Sequence, residues 1–335
     1  MTDQPSPRVA VIILTWNRVD ELEPCLTSFA KNEYRNTDVI VVDNGSEDES
    51  VPTVKRDFSW VKLIENGENL GFCRGNNVGL RYALTQHYDY VMLLNSDTEL
   101  IPGLISELVR VLASDPTIGI VGAKNVLMEN PEYMWGQYGV VTWGPMLVKT
   151  IGRFKLDEHL NEPPKDVPWV IGNACMMRRE ALEQVGLFDE EFWQCNEDVD
   201  WCYRCRKANF RVVYVDSAGI LHKGGSSADM SHKKVFSYGY FIGRNAWTFA
   251  RKHGNIFQKA LLMTTMLAGM GGRIAFFSLD ATKNAILGQR AFVAGMLDGM
   301  RGRLRPELIT VTIPDRTGRR FRQGIRGRLM RWLGV

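Results

Sequence analysis

Apolar positions follow two alternating rhythms through the first third of the chain. Val9–Leu14 is an unbroken apolar, β-branched run of strand length. Leu22, Cys25, Leu26 and Phe29 then recur at helical spacing, opened by Asp20 and Glu23 as a D-x-x-E capping signature. Asp38–Val42 and Val61–Glu65 predict two further strands, Gly75–Gln86 a helix and Tyr90–Leu94 a fourth strand. Leu104, Leu108, Val111 and Leu112 mark the next helix face, and Ile118–Gly122 closes the series. Strands that are apolar throughout, separated by helices, predict an α/β fold with a mostly parallel sheet covered on both faces.

The rhythm fades between Val126 and Pro168, where Trp, Gly, Tyr and Pro accumulate, which suits irregular structure or an antiparallel excursion. Trp169–Ile171 reads as a strand, Arg179–Val185 as a helix stopped by Gly186, Val199–Ala208 as a helix and Arg211–Val215 as a strand. From about Lys233 to Gly302 the pattern is helical, and the chain shows no internal repeat.

Composition changes this picture in three places. With 45% apolar residues among 335 and a mean hydropathy of −0.18, the chain reads as an ordinary soluble protein with a full core. Its formal charge of +3 is unevenly spread: ten arginines between Arg301 and Arg331 face only Glu307 and Asp315, leaving the rest slightly acidic. No nucleic-acid partner is expected. No stretch reaches the roughly 18 apolar residues that span a bilayer; Ala260–Gly272 ends at Arg273, which excludes a multi-span exporting enzyme. Met1–Pro7 is short and polar and does not read as a signal peptide, so the six cysteines are expected to be reduced. Cys202 and Cys205 form a lone C-x-x-C. A metal site completed by Cys195 and His222 is less favoured than buried structural thiols.

Ligands of open parallel sheets bind beyond the carboxyl ends of the strands. Polar clusters stand at four such ends: Thr15-Trp16-Asn17-Arg18, Asp43-Asn44-Gly45-Ser46, Asn95-Ser96-Asp97, and Asn69–Asn77 after the third strand. Singly, each is what any turn contains; together they predict one cleft. Asp43 could accept the imide N–H of a pyrimidine base. Arg74, at a helix mouth, could meet a diphosphate. Asp97 suits a hard divalent cation, or equally a helix cap or turn. Glu197, Asp198 and Asp200 crowd near a helix start, where plain capping competes with a general base of raised pKa.

Ile12–Asn17, Val41–Ser46, Asn69–Asn77 and Asn95–Asp97 together resemble family 2 glycosyltransferases of the GT-A fold. Asn196-Glu197-Asp198-Val199-Asp200 resembles the family's acidic motif, and His222-Lys223-Gly224-Gly225-Ser226 its late histidine loop; the match covers roughly residues 8–230. The resemblance implies a donor-binding part over 8–125 and an acceptor part over 126–232, within a catalytic domain 1–232. A helical extension over 233–302 and a basic tail over 303–335 follow. It implies that a nucleotide-diphospho-sugar lies on Thr15, Asn17, Arg18, Asp43, Gly71, Arg74, Asn76, Asn95 and Ser96, with the Gly172-Asn173 turn lining its sugar. It also implies that Asp97 and His222 coordinate Mg²⁺ or Mn²⁺, that Asp198 is the base of an inverting transfer, and that Glu197 and Trp201 lie on the acceptor side. Asn95 departs from the family's usual pair of aspartates, and this form, with Gly-Phe-Cys-Arg-Gly-Asn-Asn, is similar to rhamnosyltransferase-like members.

A dinucleotide oxidoreductase would need a glycine-rich turn after the first strand, and Thr15–Asp20 has no glycine. A non-catalytic nucleotide-sugar sensor or scaffold remains the alternative, with Asn95 in its favour and Asp97, Asp198 and His222 against. The acceptor is expected to be a lipid-linked or cell-surface glycan precursor, since many family members work on lipid-linked acceptors. The C-terminal helices and arginines then suit an anionic membrane surface on the cytoplasmic face, or a homodimer contact.

Overall fold

The computed structural model describes residues 6–144, 147–158, 161–223, 232–277 and 283–305. The Gly224–Ser227 loop and the arginines beyond Arg305 lie outside the described residues. The chain divides into two compact units, Met1–Val141 with Lys149–Gly224, and Thr142–Val148 with Gly225–Val335.

In the first unit the apolar runs become buried strands, because helices on both faces leave no solvent side to alternate towards; the exception is Lys62–Glu65, an edge strand with no buried residue. The order is β1 (Val9–Thr15), α1 (Val19–Ser28), β2 (Thr37–Asp43), α2 (Ser50–Asp57), β3 (Lys62–Glu65), α3 (Gly71–Thr85), β4 (Tyr90–Asn95), β5 (Thr98–Leu100), α4 (Leu104–Ser114) and β6 (Ile118–Leu127). Short strands follow: β7 (Met134–Gly136), β8 (Tyr138–Val141), β9 (Val148–Thr150), β10 (Lys165–Asp166) and β11 (Trp169–Val170). Then come β12 (Ala174–Arg178), α5 (Arg179–Val185), α6 (Glu197–Lys207) and β13 (Arg211–His222).

The main sheet runs β10-β13-β6-β12-β4-β1-β2-β3, with β11-β8-β9 as a separate small sheet. β3, β2, β1 and β4 are parallel, with Thr15 opposite Asp43 and Leu14 opposite Asn95. That register brings the ends of three strands level, so their polar residues share one edge. Val11, Ile13, Val41 and Met92 fill one face with Leu22 and Leu26 of α1 and Leu108 and Leu112 of α4. On the other face α3 rides close to β1: a Cβ at Gly79 would stand 2.6 Å from Ile12. Filling that gap would cost about 1–3 kcal/mol of overpacking.

Four details differ from the expectation. β12 is an additional strand, antiparallel to both β4 and β6. Its five residues lack alternation and β-branching, and their burial between two strands sets their conformation. α3 begins at Gly71 rather than Gly75, because Asn69 Oδ1 accepts from the Gly71 N–H at 2.9 Å and Gly71 adopts φ +80°. The Asp20–Glu23 capping box does not form: Asp20 lies inside the first turn of α1, and Asp48 accepts from the Val19 N–H at 3.1 Å instead. β13 continues well past Val215, through a register shift before Gly219, to His222.

The second unit contains α7 (His232–His253), α8 (Ile256–Phe277) and α9 (Lys283–Met300). Gly239 and Gly243 of α7 and Gly295 and Gly299 of α9 let the two backbones touch; a Cβ at Gly239 would lie 2.7 Å from the Gly288 carbonyl. Asp298, fully buried there, is satisfied by Arg305 at 2.7 Å and Tyr240 Oη at 3.1 Å. Among the described residues no helix is long and apolar enough to cross a membrane.

Candidate active site

The end of β2 makes a socket. Asp43 Oδ2 accepts from the Gly45 and Ser46 N–H groups, both at 3.0 Å, which fixes the carboxylate. Its Oδ1 is buried without a partner, as is Thr15 Oγ1 at the end of β1. Buried polar atoms are nearly always satisfied, so two orphans on adjacent strand ends point to a ligand's polar groups. Asn17, in the left-handed region at φ 53°, ties the two loops by donating to Ser46 Oγ at 2.9 Å and accepting from Glu47 N–H at 2.6 Å. Asn44 anchors the β3–α3 loop: its amide donates to Asn69 Oδ1 and Gly71 O and accepts from Asn66 Nδ2 and Leu70 N–H.

Three residues around α3 are placed differently from the sequence reading. Arg74 lies inside the first helical turn and binds Glu190 at 2.8 Å, so it is not free at the helix mouth. With Arg81 and Asn77, Arg74 holds Glu190 down at about 2. Asn76 is buried and donates back to Phe72 O at 3.0 Å, a bond within its own helix. Gly71 lies beneath the Trp193 indole, which occupies the space where a side chain would project.

Asp97 follows Asn95 and Ser96 at the end of β4, and its Oδ2 lies 3.2 Å from His222 Nε2 at the end of β13. Burial would raise the Asp97 carboxyl, but the hydrogen bond and charge of His222, its own backbone N–H and Arg18 hold it below the ordinary range. The Lys223 N–H donates to the Asp97 carbonyl at 3.0 Å, closing the two segments on each other. Asn173 Nδ2 is 3.3 Å from His222 Nδ1, and Asn173 Oδ1 is buried without a partner. Trp135 meets the imidazole edge-on, with ring centroids 4.9 Å apart.

Asp198 sits half-buried in the first turn of α6. Its Oδ2 accepts from the Gly172 N–H at 3.0 Å and its Oδ1 from the Val199 N–H at 2.8 Å. Burial nevertheless raises it to about 6. Glu197 is raised well above the ordinary carboxyl range by burial and by the neighbouring Asp198 charge, and its Oε2 has no partner. Trp193, Cys195 and Asn196 all have positive φ, so the approach to this acidic pair is strained. Trp201 is a core residue, not an acceptor-facing one: it is 1% exposed and its indole N–H donates to Gly186 O.

One turn joins these parts. Gly172 binds Asp198, the Asn173 side chain meets His222, and the Asn173 carbonyl accepts from the Asn95 N–H at 2.9 Å. Because β12 runs antiparallel to β4, its start lies at the carboxyl end of β4, which is where the turn is needed. A carboxylate–imidazole pair, a carboxylate of raised pKa and a socket with an unpartnered acid oxygen thus line one sheet edge.

The family model for glycosyl transferase family 2 matches residues 10–186, more than half of the chain. The chain belongs to this family. Relatives include the N-acetylglucosaminyl-diphospho-decaprenol L-rhamnosyltransferase of Mycobacterium tuberculosis (strain CDC 1551 / Oshkosh), 29% identical over 63% of this chain and 75% of the relative. The dTDP-rhamnosyl transferase RfbF of Shigella flexneri is 24% identical over 88% of this chain and 96% of its own. Among solved structures, the mannosyltransferase PcManGT from Pyrobaculum calidifontis, in complex with GDP-Man and Mn²⁺, superposes with a TM-score of 0.58. That likeness, at 17% identity, covers 89% of this chain and 88% of the other, and it shows a GT-A fold.

In this family 2 glycosyltransferase the fold brings to the candidate site a side chain that the sequence did not mark. Trp135 lies in the aperiodic stretch, and only the fold brings it to His222. Among the described residues no three His, Cys, Asp or Glu side chains cluster as a metal site, and Cys202 and Cys205 are buried free thiols.

Proposed function

We propose that this glycosyltransferase moves a single hexose, rhamnose in the first instance, from a nucleoside diphosphate to a hydroxyl of a lipid-linked glycan precursor, with inversion. The observation that carries the proposal is the Gly172-Asn173 turn, which holds Asp198 beside the Asp97–His222 pair. Asp43 Oδ1 suits the imide N–H of a pyrimidine base, and Thr15 and Asn17 shape the surrounding socket. The rhamnosyltransferase relatives support the donor sugar, and the diphospho-decaprenol in one relative's name supports the acceptor class.

The residues fit a divalent cation. Asp97 and His222 Nε2 converge, and the unpartnered Asn173 Oδ1 offers an acceptor for a proton on Nδ1 once that amide is turned over, leaving Nε2 as a ligand. Two protein ligands leave the remaining positions of a Mg²⁺ or Mn²⁺ shell to phosphate oxygens and water. Such a cation supplies charge neutralisation for a departing diphosphate. Asp198 takes the proton of the acceptor hydroxyl. The acceptor oxygen bonds to the anomeric carbon, the bond from that carbon to the diphosphate oxygen breaks, and the nucleoside diphosphate leaves. A carboxyl near pKa 6 is ionised at neutral pH yet basic enough for this role.

Asp198→Asn tests the assignment: dTDP and UDP should bind as to the wild type, with transfer down about 10²–10⁴-fold. Near-normal turnover would remove Asp198 from the role. A sensor or scaffold, the reading that Asn95 favours, would consume no donor with any acceptor.

We also infer a peripheral membrane location. Ile256, Phe257, Leu261 and Leu267 of α8 are exposed, Phe257 at 81%, and they share one helical stripe with Ala260, Thr264 and Ala268. Co-sedimentation with anionic liposomes at low salt tests this. Indifference to them, together with dimerisation in solution, would assign the stripe to a second copy.

A further inference from the structure

We propose that the turn Gly152–Leu156 is the acceptor-docking element: Arg153 holds a diphosphate, and Phe154 with Leu156 contacts the hydrocarbon chain attached to it. This rests on the proposed lipid-linked acceptor and assigns it a place on the protein.

The turn is built to hold its shape. Gly152 and Phe154 both have positive φ, at 75° and 58°, and the second is unusual for an aromatic residue. Backbone bonds fix it on both sides: Phe154 N–H to Met134 O at 2.8 Å, Met134 N–H to Lys155 O at 2.8 Å and Lys155 N–H to Gly152 O at 3.1 Å. A strained, fully bonded turn that exposes Phe154 at 58% and Leu156 at 56% spends stability on presenting apolar groups to solvent.

Beside Phe154 stands a cation. The Arg153 guanidinium lies 5.3 Å from the Trp135 ring centroid and 5.0 Å from that of Phe154. Among the described residues it makes no ion pair. The nearby Asp157 carboxylate is taken up by Lys124 at 3.0 Å. A guanidinium stacked on aromatic faces keeps its in-plane N–H donors free, which is the arrangement suited to phosphate oxygens. A fixed cation beside exposed apolar side chains complements a diphosphate carrying a hydrocarbon chain.

The position separates this diphosphate from the donor's. Trp135 contacts Arg153 and also meets His222 edge-on, so its indole stands between the guanidinium and the Asp97–His222 pair. From His222 the contacts pass through Asn173 and Gly172 to Asp198. The path of contacts from the Arg153 guanidinium to the proposed base thus runs through Trp135, His222, Asn173 and Gly172.

The test is calorimetric binding of farnesyl diphosphate, farnesol and inorganic pyrophosphate to the full chain in EDTA, which removes any cation-held diphosphate. Farnesyl diphosphate should bind more tightly than either fragment. Arg153→Ala should weaken it about 10–100-fold, and Arg153→Lys should fall between, keeping charge but losing the stacked fork. Phe154→Ser should weaken it roughly tenfold. In all three variants dTDP binding in Mg²⁺ and the melting temperature should match the wild type. Undiminished farnesyl diphosphate binding in Arg153→Ala, or an equal loss of dTDP binding, overturns the docking assignment alone. A wild-type chain that ignores farnesyl diphosphate overturns both this assignment and the lipid-linked acceptor.

Discussion

On the proposed nucleotide side of the site, Thr15, Asp43 and Asn95 each end their own strand, and parallel register brings them level. On the proposed transfer side, Gly172, Asp198 and His222 come from a turn, a helix start and the far end of a bulged strand, joined by side-chain and backbone contacts. The first arrangement follows from local pattern and a general rule of parallel sheets. The second depends on one antiparallel strand, β12, whose insertion between β4 and β6 delivers the turn. Substitutions on the nucleotide side should therefore act on binding one group at a time, and those on the transfer side should act on several groups together.

The largest expected effect is on the metal pair. Asp97→Ala, or chelation of the wild type, should lower transfer on the order of 10²–10³-fold, comparable to removing one key electrostatic group from an active site. Full activity in EDTA would break the proposed role of Asp97 and His222. Next comes the joint itself: Asn173→Ala should weaken Mn²⁺ binding about 10–100-fold, read from the free-ion electron paramagnetic resonance signal, because the histidine loses the partner that orients it. Unaltered Mn²⁺ affinity would reduce the turn to scaffolding. On the nucleotide side, Asp43→Asn keeps an oxygen for Gly45 and Ser46 but turns an amide N–H towards the base. Affinity for dTDP should fall roughly tenfold without a change in metal affinity.

The smallest effect is a null one. Asp198 must be ionised to take a proton, so with its carboxyl near 6 the value of kcat/KM should fall about tenfold per pH unit below that point and stay level above it. Glu197→Gln should leave this limb in place, because burial and the neighbouring Asp198 charge both favour the neutral form of Glu197. A downward move of the limb in that variant would mean that Glu197 carries charge.

How much of this was legible beforehand follows the same division. The continuous apolar runs specify four parallel strands, and the polar residues after them mark the sheet edge on which the candidate site lies, because both signals are local. The helical pattern starts four residues inside α3, since a left-handed Gly71 held by Asn69 looks like loop. That placed Arg74 at a helix mouth, whereas it lies within the helix and binds Glu190. Trp201 was read as facing the acceptor because it follows the acidic motif, but the helical turn directs its ring into the core. Trp135 and Arg153 lie in a stretch without periodicity, where the pairing of β6 with β7 positions Trp135 and the backbone bonds of Met134 with Phe154 and Lys155 position the turn that carries Arg153.

A single displacement at the anomeric carbon, with Asp198 as the proposed base, inverts that centre. Nuclear magnetic resonance of the product formed from a nucleotide sugar that the chain turns over tests it most directly. A new linkage of anomeric configuration opposite to that of the donor is the predicted result. Retention of the donor's configuration would contradict the account, because it requires either a second displacement or front-face attack.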